Sequence, residues 1–245
     1  MKRTLVIGDI HGALKALLQV FERARITADD KLIFLGDYVD GWSESAQVLD
    51  YLLDLQNKNE CVFIKGNHDM WCEEWLRSSD ADEIWLRHGG LATIDSYASI
   101  NLQQKATHIS FLESMNYFLV DESNRLFIHA GFTSSQGPVK EFRSGNFNWD
   151  RSLWETAISV NGLITKNSLF YPKRMKLFHE IYIGHTPTLY YGVDVPMQAG
   201  NVWNIDTGAA FTGKFSIIDI NSKEFWQSDL VTALYPDEKG RNEPA

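Results

Sequence analysis

Short apolar runs alternate with helical patterns through the N-terminal third of the chain. TLVIGDI is the first strand candidate, and residues 13–24 follow with Leu14, Leu17, Leu18 and Phe21 on one helical face. KLIFLGD repeats the strand pattern, residues 45–56 (SAQVLDYLLDLQ) the helical one, and CVFIKGN the strand again. Strand–helix–strand–helix–strand predicts right-handed crossovers and a parallel sheet. Residues 69–116 are Trp-rich and charged, with a helical texture and no clean strand, before RLFIHAG (125–131) resumes the strand theme. After the irregular stretch 132–178, the segments EIYIGHT, NVWNIDTG, FSIIDI and EFWQSDL follow one another too closely for helices between them. That spacing predicts hairpins in a mostly antiparallel half. No low-complexity linker or repeat interrupts the pattern, which predicts one domain over residues 1–235 and a fraying polar tail over 236–245.

Composition narrows the picture. Of 245 residues, 44% are apolar and 13% aromatic, enough for a sizeable core. The net charge of −9 leaves no basic stripe, so neither nucleic acid nor an anionic membrane is an expected partner. Cys61 and Cys72 are expected to be buried, reduced thiols. The apolar stretch behind Met1-Lys2-Arg3 is too short for a signal peptide and no run approaches a membrane span, so the expected location is the cytoplasm.

The chemistry sits where the strands end. LVIGDIHG, LIFLGDYVDG, VFIKGNHD, LFIHAG and IYIGHT each finish in a Gly beside Asp, Asn or His. Loops at the C-terminal ends of parallel strands converge on one sheet edge, so these side chains can meet across a long stretch of sequence. Asp9, His11, Asp37, Asn67, His129 and His185 together offer oxygen and imidazole donors without a thiolate. Such a set suits Mn, Fe or Zn. In an extended segment Asp9 and His11 would point to one side and chelate one ion, while Asp37 could bridge to a second. Each segment alone is an ordinary turn, and a lone His129 would be an ordinary buried imidazole. Their joint occurrence, each directly after an apolar run, is what points to metal. His88, His108 and His179 lack that setting and are expected to be surface or core histidines.

GDIHG at 8–12, GDYVDG at 36–41, GNHD at 66–69, HAG at 129–131, GHTP at 184–187 and IDTG at 205–208 resemble the calcineurin-type metallophosphoesterases, and above all their phosphoprotein phosphatase branch. The resemblance implies an α/β fold in which a two-sheet sandwich is flanked by helices, with a dinuclear site at the sheet edge. It implies that Asp9, His11 and Asp37 hold one metal, manganese being expected before iron or zinc. Asn67, His129 and His185 would complete the second site around the bridging Asp37. A metal-bridged hydroxide would attack a phosphomonoester, with His68 as general acid and Asp40 orienting it; Asn67 would also contact the phosphate. An alkoxide leaving group is strongly basic, so such an acid contributes on the order of 10²–10⁴ in rate.

Two departures qualify the resemblance. The second motif of that branch carries an Arg that contacts phosphate, and here Gly41 and Trp42 stand instead. Arg151, in WDRSLWE, is the expected substitute, with Arg174 and Lys173 next. The third motif reads GNHD, as in diadenosine-tetraphosphate hydrolases, and not GNHE. The resemblance therefore implies a Ser/Thr protein phosphatase acting on a phosphorylated protein or small phosphoester, with a dinucleoside-polyphosphate or nucleotide phosphohydrolase as the alternative. An inactive protein-binding scaffold is the contrasting class, disfavoured because six ligands and the acid are all present. Trp71, Trp75, Trp85 and Trp149 could form a nucleobase platform, although a core role is the expectation.

Overall fold

The computed structural model describes residues 2–242. Its first half follows the predicted alternation: β1 (Thr4–Ile7), α1 (Leu14–Ala24), β2 (Lys31–Phe34), α2 (Ser45–Leu55), β3 (Glu60–Phe63) and α3 (Asn67–Ser78). Short helices α4 (Glu83–Trp85) and α5 (Leu91–Ser96) flank a π-turn at Leu86–Gly90, and α6 (Leu102–Glu113) leads to β4 (Phe118–Val120) and β5 (Leu126–Ile128). Helices α7 (Asn146–Trp149), α8 (Ser152–Val160) and α9 (Lys173–Lys176) precede β6 (Ile181–Ile183). The chain closes with β7 (Met197–Ala199), β8 (Val202–Asn204), β9 (Ser216–Asp219), β10 (Phe225–Gln227) and α10 (Val231–Leu234).

Two five-stranded sheets result, ordered β10-β9-β1-β2-β3 and β4-β5-β6-β8-β7. The strands β1, β2 and β3 are parallel, as the crossover pattern requires. The expected antiparallel second half does not form as one unit. In the second sheet β5, β6 and β8 run parallel, with β4 and β7 antiparallel on the edges. The hairpin β9–β10 instead joins the first sheet against β1. The physical reason is length: the stretch between β5 and β6 holds three helices, and the 3₁₀ turn Thr188–Tyr191 plus β7 span the gap before β8. Both connections have room for a parallel crossover.

Strand alternation then builds four layers. Val6 and Ile33 face Phe127, Tyr182, Ile205 and Ile218 between the sheets. Leu5, Ile7, Leu32 and Phe34 point the other way, onto Leu17, Val20, Leu49 and Leu52 of α1 and α2. On the far side Leu126, Ile128 and Ile181 meet Leu153, Trp154 and Ala157 of α8. Each fully buried side chain of this size contributes about 1.5–3 kcal/mol, so two sheets buried on both faces make a stiff base for the loops at their edge.

The tail differs from its expected fraying. Over residues 236–242 it is packed: Glu238 accepts hydrogen bonds from Ser43 N (3.0 Å) and Oγ (2.7 Å), and Arg241 N donates to Ala210 O (2.9 Å). Residues 243–245 lie outside the described residues. Among the described residues no helix is long and apolar enough to cross a membrane. Both cysteines are free thiols, Cys72 buried and Cys61 half-buried.

Candidate metal centre and cleft

All six candidate ligands gather at one sheet edge, and all are buried. Asp9 and His11 leave β1, Asp37 leaves β2, Asn67 opens α3 after β3, and His129 and His185 follow β5 and β6. Three of these ligands sit in the left-handed region, His11 (φ 53°), Asp37 (52°) and His185 (67°), and so does Asp40 (74°). Such conformations persist only where surrounding structure over-determines them, and they cluster at functional sites. The turn at His11 also means that Asp9 and His11 are not an extended pair. Ile10 N and His11 N both donate to Asp37 O (3.0 and 2.9 Å), bending β1's exit over the β2 loop.

Glycines make this crowding possible. A Cβ on Gly66 would stand 2.1 Å from Asp37 Oδ1, and one on Gly184 would stand 2.0 Å from Asp9 Oδ1. No larger residue fits at either place.

Two triads of donor atoms lie within 4.8 Å of one another: His11, Asp37 and His68, and Asp37, His129 and His185. Asp37 is shared, its Oδ2 being 3.6 Å from His11 Nε2 and 3.4 Å from His129 Nε2. Asp9 belongs to neither triad; its Oδ2 accepts from His185 N (3.0 Å), and its Oδ1 is buried without a partner. His11 Nδ1 and His185 Nε2 are likewise buried and unpartnered. His129 Nδ1 donates to Leu35 O (2.8 Å), which turns Nε2 toward Asn67 Oδ1 (3.2 Å) and Asp37. His185 Nδ1 lies 3.0 Å from the same Asn67 oxygen.

The electrostatics describe a site short of cations. Burial, then Asp206, raise the Asp9 carboxyl well above the ordinary carboxylate range. Burial also holds His11 and His185 neutral, well below their usual range. At Asp37 burial is outweighed by His129, His68 and His11, which keep it ionised. At His129 burial is outweighed by Asp37, which pushes the imidazole up to about 10. Orphaned donors, carboxylates forced toward neutrality and a proton trapped on a histidine are what bound metal ions would relieve. The donor set therefore fits transition metal.

His68, beside ligand candidate Asn67, is oriented differently. Its Nδ1 donates to Asp40 Oδ2 at 2.6 Å, leaving Nε2 for the cleft. Asp40 is fully buried and receives two further hydrogen bonds, from Trp85 Nε1 (2.7 Å) and Thr93 Oγ1 (2.6 Å). Sequence reasoning missed Trp85 and Thr93, because nothing in 70–124 aligns them with a strand end. Residues 83–96 thus brace Asp40. It also passed over the last residue of GNHD. Asp69 accepts from Gly66 N (2.7 Å), Asp37 N (2.8 Å) and Tyr38 N (2.9 Å), clamping the Asp37 loop to the start of α3. His68 N in turn donates to Asp37 Oδ1 (3.0 Å). Burial, then Asp37, raise Asp69 to about 7.

Above the cluster lies a cleft of about 150 Å³, walled by Trp71, Trp149, Tyr190, Phe211, Arg151 and Arg241. Arg151 is exposed, and its guanidinium makes no hydrogen bond or ion pair with the described residues, whereas Arg174 is committed elsewhere. The Arg174 guanidinium donates to Phe132 O (2.7 Å), Ser152 O (2.6 Å) and Thr156 Oγ1 (2.8 Å), so it is no phosphate ligand. Lys173 opens α9 and does not line the cleft. Two of the four tryptophans depart from the expected core role: Trp71 and Trp149 line the cleft, while Trp75 packs on Trp85 and Tyr97. His88 lines it too, stacked on Trp71 at 6.1 Å, whereas His108 is core, bonded to Tyr97 and Asp50, and His179 is exposed. Asp206 of IDTG is a further buried carboxyl at the cleft floor, raised by burial to about 6.

Residues 2–197 match the calcineurin-like phosphoesterase family, and the chain belongs to it. The family uses a dinuclear metal centre, and the chain is a metal-dependent phosphoric ester hydrolase. Among its relatives, an asymmetrical bis(5'-nucleosyl)-tetraphosphatase from Anoxybacillus flavithermus is 24% identical over 87% of this chain and 88% of its own length. A symmetrical bis(5'-nucleosyl)-tetraphosphatase from Pseudomonas entomophila is 25% identical over 93% and 94%. A serine/threonine phosphatase from Saccharomyces cerevisiae superposes with a TM-score of 0.62 at 13% identity, covering 99% of this chain and 84% of that one. That likeness carries the two-sheet fold.

Proposed function

We propose that this chain hydrolyses dinucleoside polyphosphates, with Asp9, His11, Asp37, Asn67, His129 and His185 as metal ligands and manganese as the working metal. When bound, the ions would supply charge neutralisation on the phosphoryl group and an activated water. The remaining steps belong to side chains. Arg151 binds phosphate through its fork, and Asn67, at the cleft floor, contacts the same group. His68 Nε2 protonates the departing oxygen. Asp40 holds the imidazole by Nδ1 and stabilises its charged form, while Trp85 and Thr93 hold Asp40.

The observation that carries the substrate class is the aromatic wall. Trp149 is 45% exposed and braced edge-on by Trp71 at 4.9 Å, and Tyr190 is 61% exposed beside Phe211 at 6.4 Å. Large exposed rings beside a phosphate site suit nucleobases, whose stacking contributes about 1–3 kcal/mol each. The names of the two curated relatives agree with that reading. Phosphoprotein hydrolysis is the second reading, supported by GDYVDG and IDTG, and would use the same residues.

The test is a comparison of kcat/KM with Mn²⁺ on diadenosine tetraphosphate and on a phosphoserine peptide. At least a 100-fold preference for the dinucleotide is expected. The opposite ratio would overturn the substrate assignment and leave the phosphoesterase assignment standing.

A further inference from the structure

The place where the resembling motif carries an arginine is filled here from the far end of the chain. A Cβ on Gly41 would lie 3.3 Å from Cγ and 3.7 Å from Cδ of Arg241, and one on Gly89 would lie 3.1 Å from the same Cγ. Both glycines have positive φ, 103° and 101°, so neither position readily accepts a side chain. Gly41 N donates to Gly89 O (3.1 Å), so the two loops form one floor under the Arg241 stem. An arginine at 41 would compete for the space that Arg241 already occupies.

The tail that delivers Arg241 is anchored. Tyr235 stacks on Trp42 at 5.2 Å, and Trp42 Nε1 donates to Ala209 O (2.7 Å). Glu238 binds Ser43, and Gly240 lies so close to Trp42 that a Cβ would approach Cζ2 to 2.6 Å. Trp42, the residue after Gly41, is thus the dock for the tail. The guanidinium then reaches the cleft, 5.1 Å over the Phe211 ring, with Nη2 3.3 Å from His88 Nδ1. Its Nε is buried without a partner, and no carboxylate among the described residues forms an ion pair with it. Its charge bears on His11 and Asp206, whereas that of Arg151 bears on His185. Arg241 lies beyond residues 2–197, the stretch that matches the family.

We propose that Arg241 is a substrate-binding residue that replaces the arginine absent at Gly41 and, opposite Arg151, grips a second phosphate of a polyphosphate chain. A forked cation without a carboxylate, on a cleft wall beside an aromatic ring, is built to receive an anion. This rests on the polyphosphate reading above for its substrate, but not for its anion-binding chemistry.

The test is Arg241→Gln, which keeps the stem on Gly41 and Gly89 and removes the charge. Pyrophosphate binding to the Mn²⁺-loaded protein, measured by calorimetry, should weaken about 10–100-fold, the effect of losing charge-assisted hydrogen bonds. KM for diadenosine tetraphosphate should rise in step, while metal content and Tm stay within about twofold or a few degrees of wild type. Arg241→Lys should recover part of the pyrophosphate affinity. Unchanged pyrophosphate binding in a folded Arg241→Gln protein overturns the proposal. A loss of bound Mn²⁺ in that variant also does so, by assigning Arg241 to the structure of the centre. If wild type ignores diadenosine tetraphosphate yet Arg241→Gln still loses pyrophosphate, the dinucleotide reading fails and this one stands.

Discussion

The floor and the walls of the cleft are built by different means. The floor is made of strand ends: six donors leave β1, β2, β3, β5 and β6 within a few residues of paired backbone, and glycines allow them to crowd. The walls draw mainly on connecting segments: the π-turn with His88, the start of α8 with Arg151, the 3₁₀ turn with Tyr190, and the tail with Arg241, beside Trp71 of α3 and Trp149 at the end of α7. A sheet buried on both faces fixes atoms to fractions of an ångström, which multi-ligand metal chemistry needs. Loops on such a base can change residue by residue without disturbing it. Chemistry is fixed by the floor, and substrate by the walls.

The largest effect should come from the floor. Asp37 is shared by both donor triads and held from three sides by His68 N, Asp69 and the His11 turn. Asp37→Asn should lose more than one metal equivalent by elemental analysis and cut activity by at least about 10³-fold. Full metal occupancy in that variant would remove Asp37 from the bridging position.

His68→Asn comes next. Because its Nδ1 is committed to Asp40, the imidazole is predicted to act as acid and not as ligand. Metal content should persist while the rate on an alkyl phosphate falls about 10²–10⁴-fold, with a smaller fall on p-nitrophenyl phosphate. Equal losses on the two substrates would count against the acid role, and lost metal would place His68 among the ligands, where its nearness to His11 and Asp37 would also allow it.

The same division decides what could be read from sequence. Strand ends announce themselves, because an apolar run followed by Gly and a polar donor is a local pattern; Asp9, Asp37, Asn67, His129 and His185 were legible for that reason. Asp69 was visible but unexplained, since its partners Asp37 N and Tyr38 N are some thirty residues away in sequence (separations 32 and 31). Trp85 and Thr93 reach Asp40 across separations of 45 and 53. Arg241 sits in a polar tail that local composition could only describe as loose. The parallel core of the second sheet was hidden too, because strands of three residues carry no signal about which neighbour they will pair with.

Arg151→Lys probes a wall and should be milder. Lys keeps the charge but not the fork, so KM should rise by about 1.5–3 kcal/mol in free-energy terms with metal content unchanged. A silent substitution would leave Arg241 as the principal phosphate cation of the cleft.

The smallest effect separates floor from walls through stability. In metal-free protein, burial lifts Asp69 to about 7 and Asp206 to about 6, and raises Asp9 well above its ordinary value. The unfolded chain releases those protons near pH 4, so each group costs stability as pH climbs through its folded value. His129, lifted to about 10 by Asp37 against burial, adds stability below pH about 6.5 and loses it as pH rises toward 10. His11 and His185, lowered by burial, are already neutral in the folded state, while their unfolded forms shed their last protons just above pH about 6.5 and so add a little stability there; Asp37 is ionised in both states. The loss through Asp9, Asp69 and His129 therefore outweighs the smaller opposing gain from His11 and His185 in the window from pH 6.5 to 8. Chelator-treated protein should lose several degrees of Tm across it, at about 2–4 °C per kcal/mol, whereas saturating Mn²⁺ should raise Tm at both values and most at pH 8. Arg151→Lys, a change in the wall, should leave that difference intact, and Asp37→Asn, a change in the floor, should shrink it. A metal-free Tm that is flat across the window would mean that the carboxyls of the floor do not carry the strain that metal is expected to relieve.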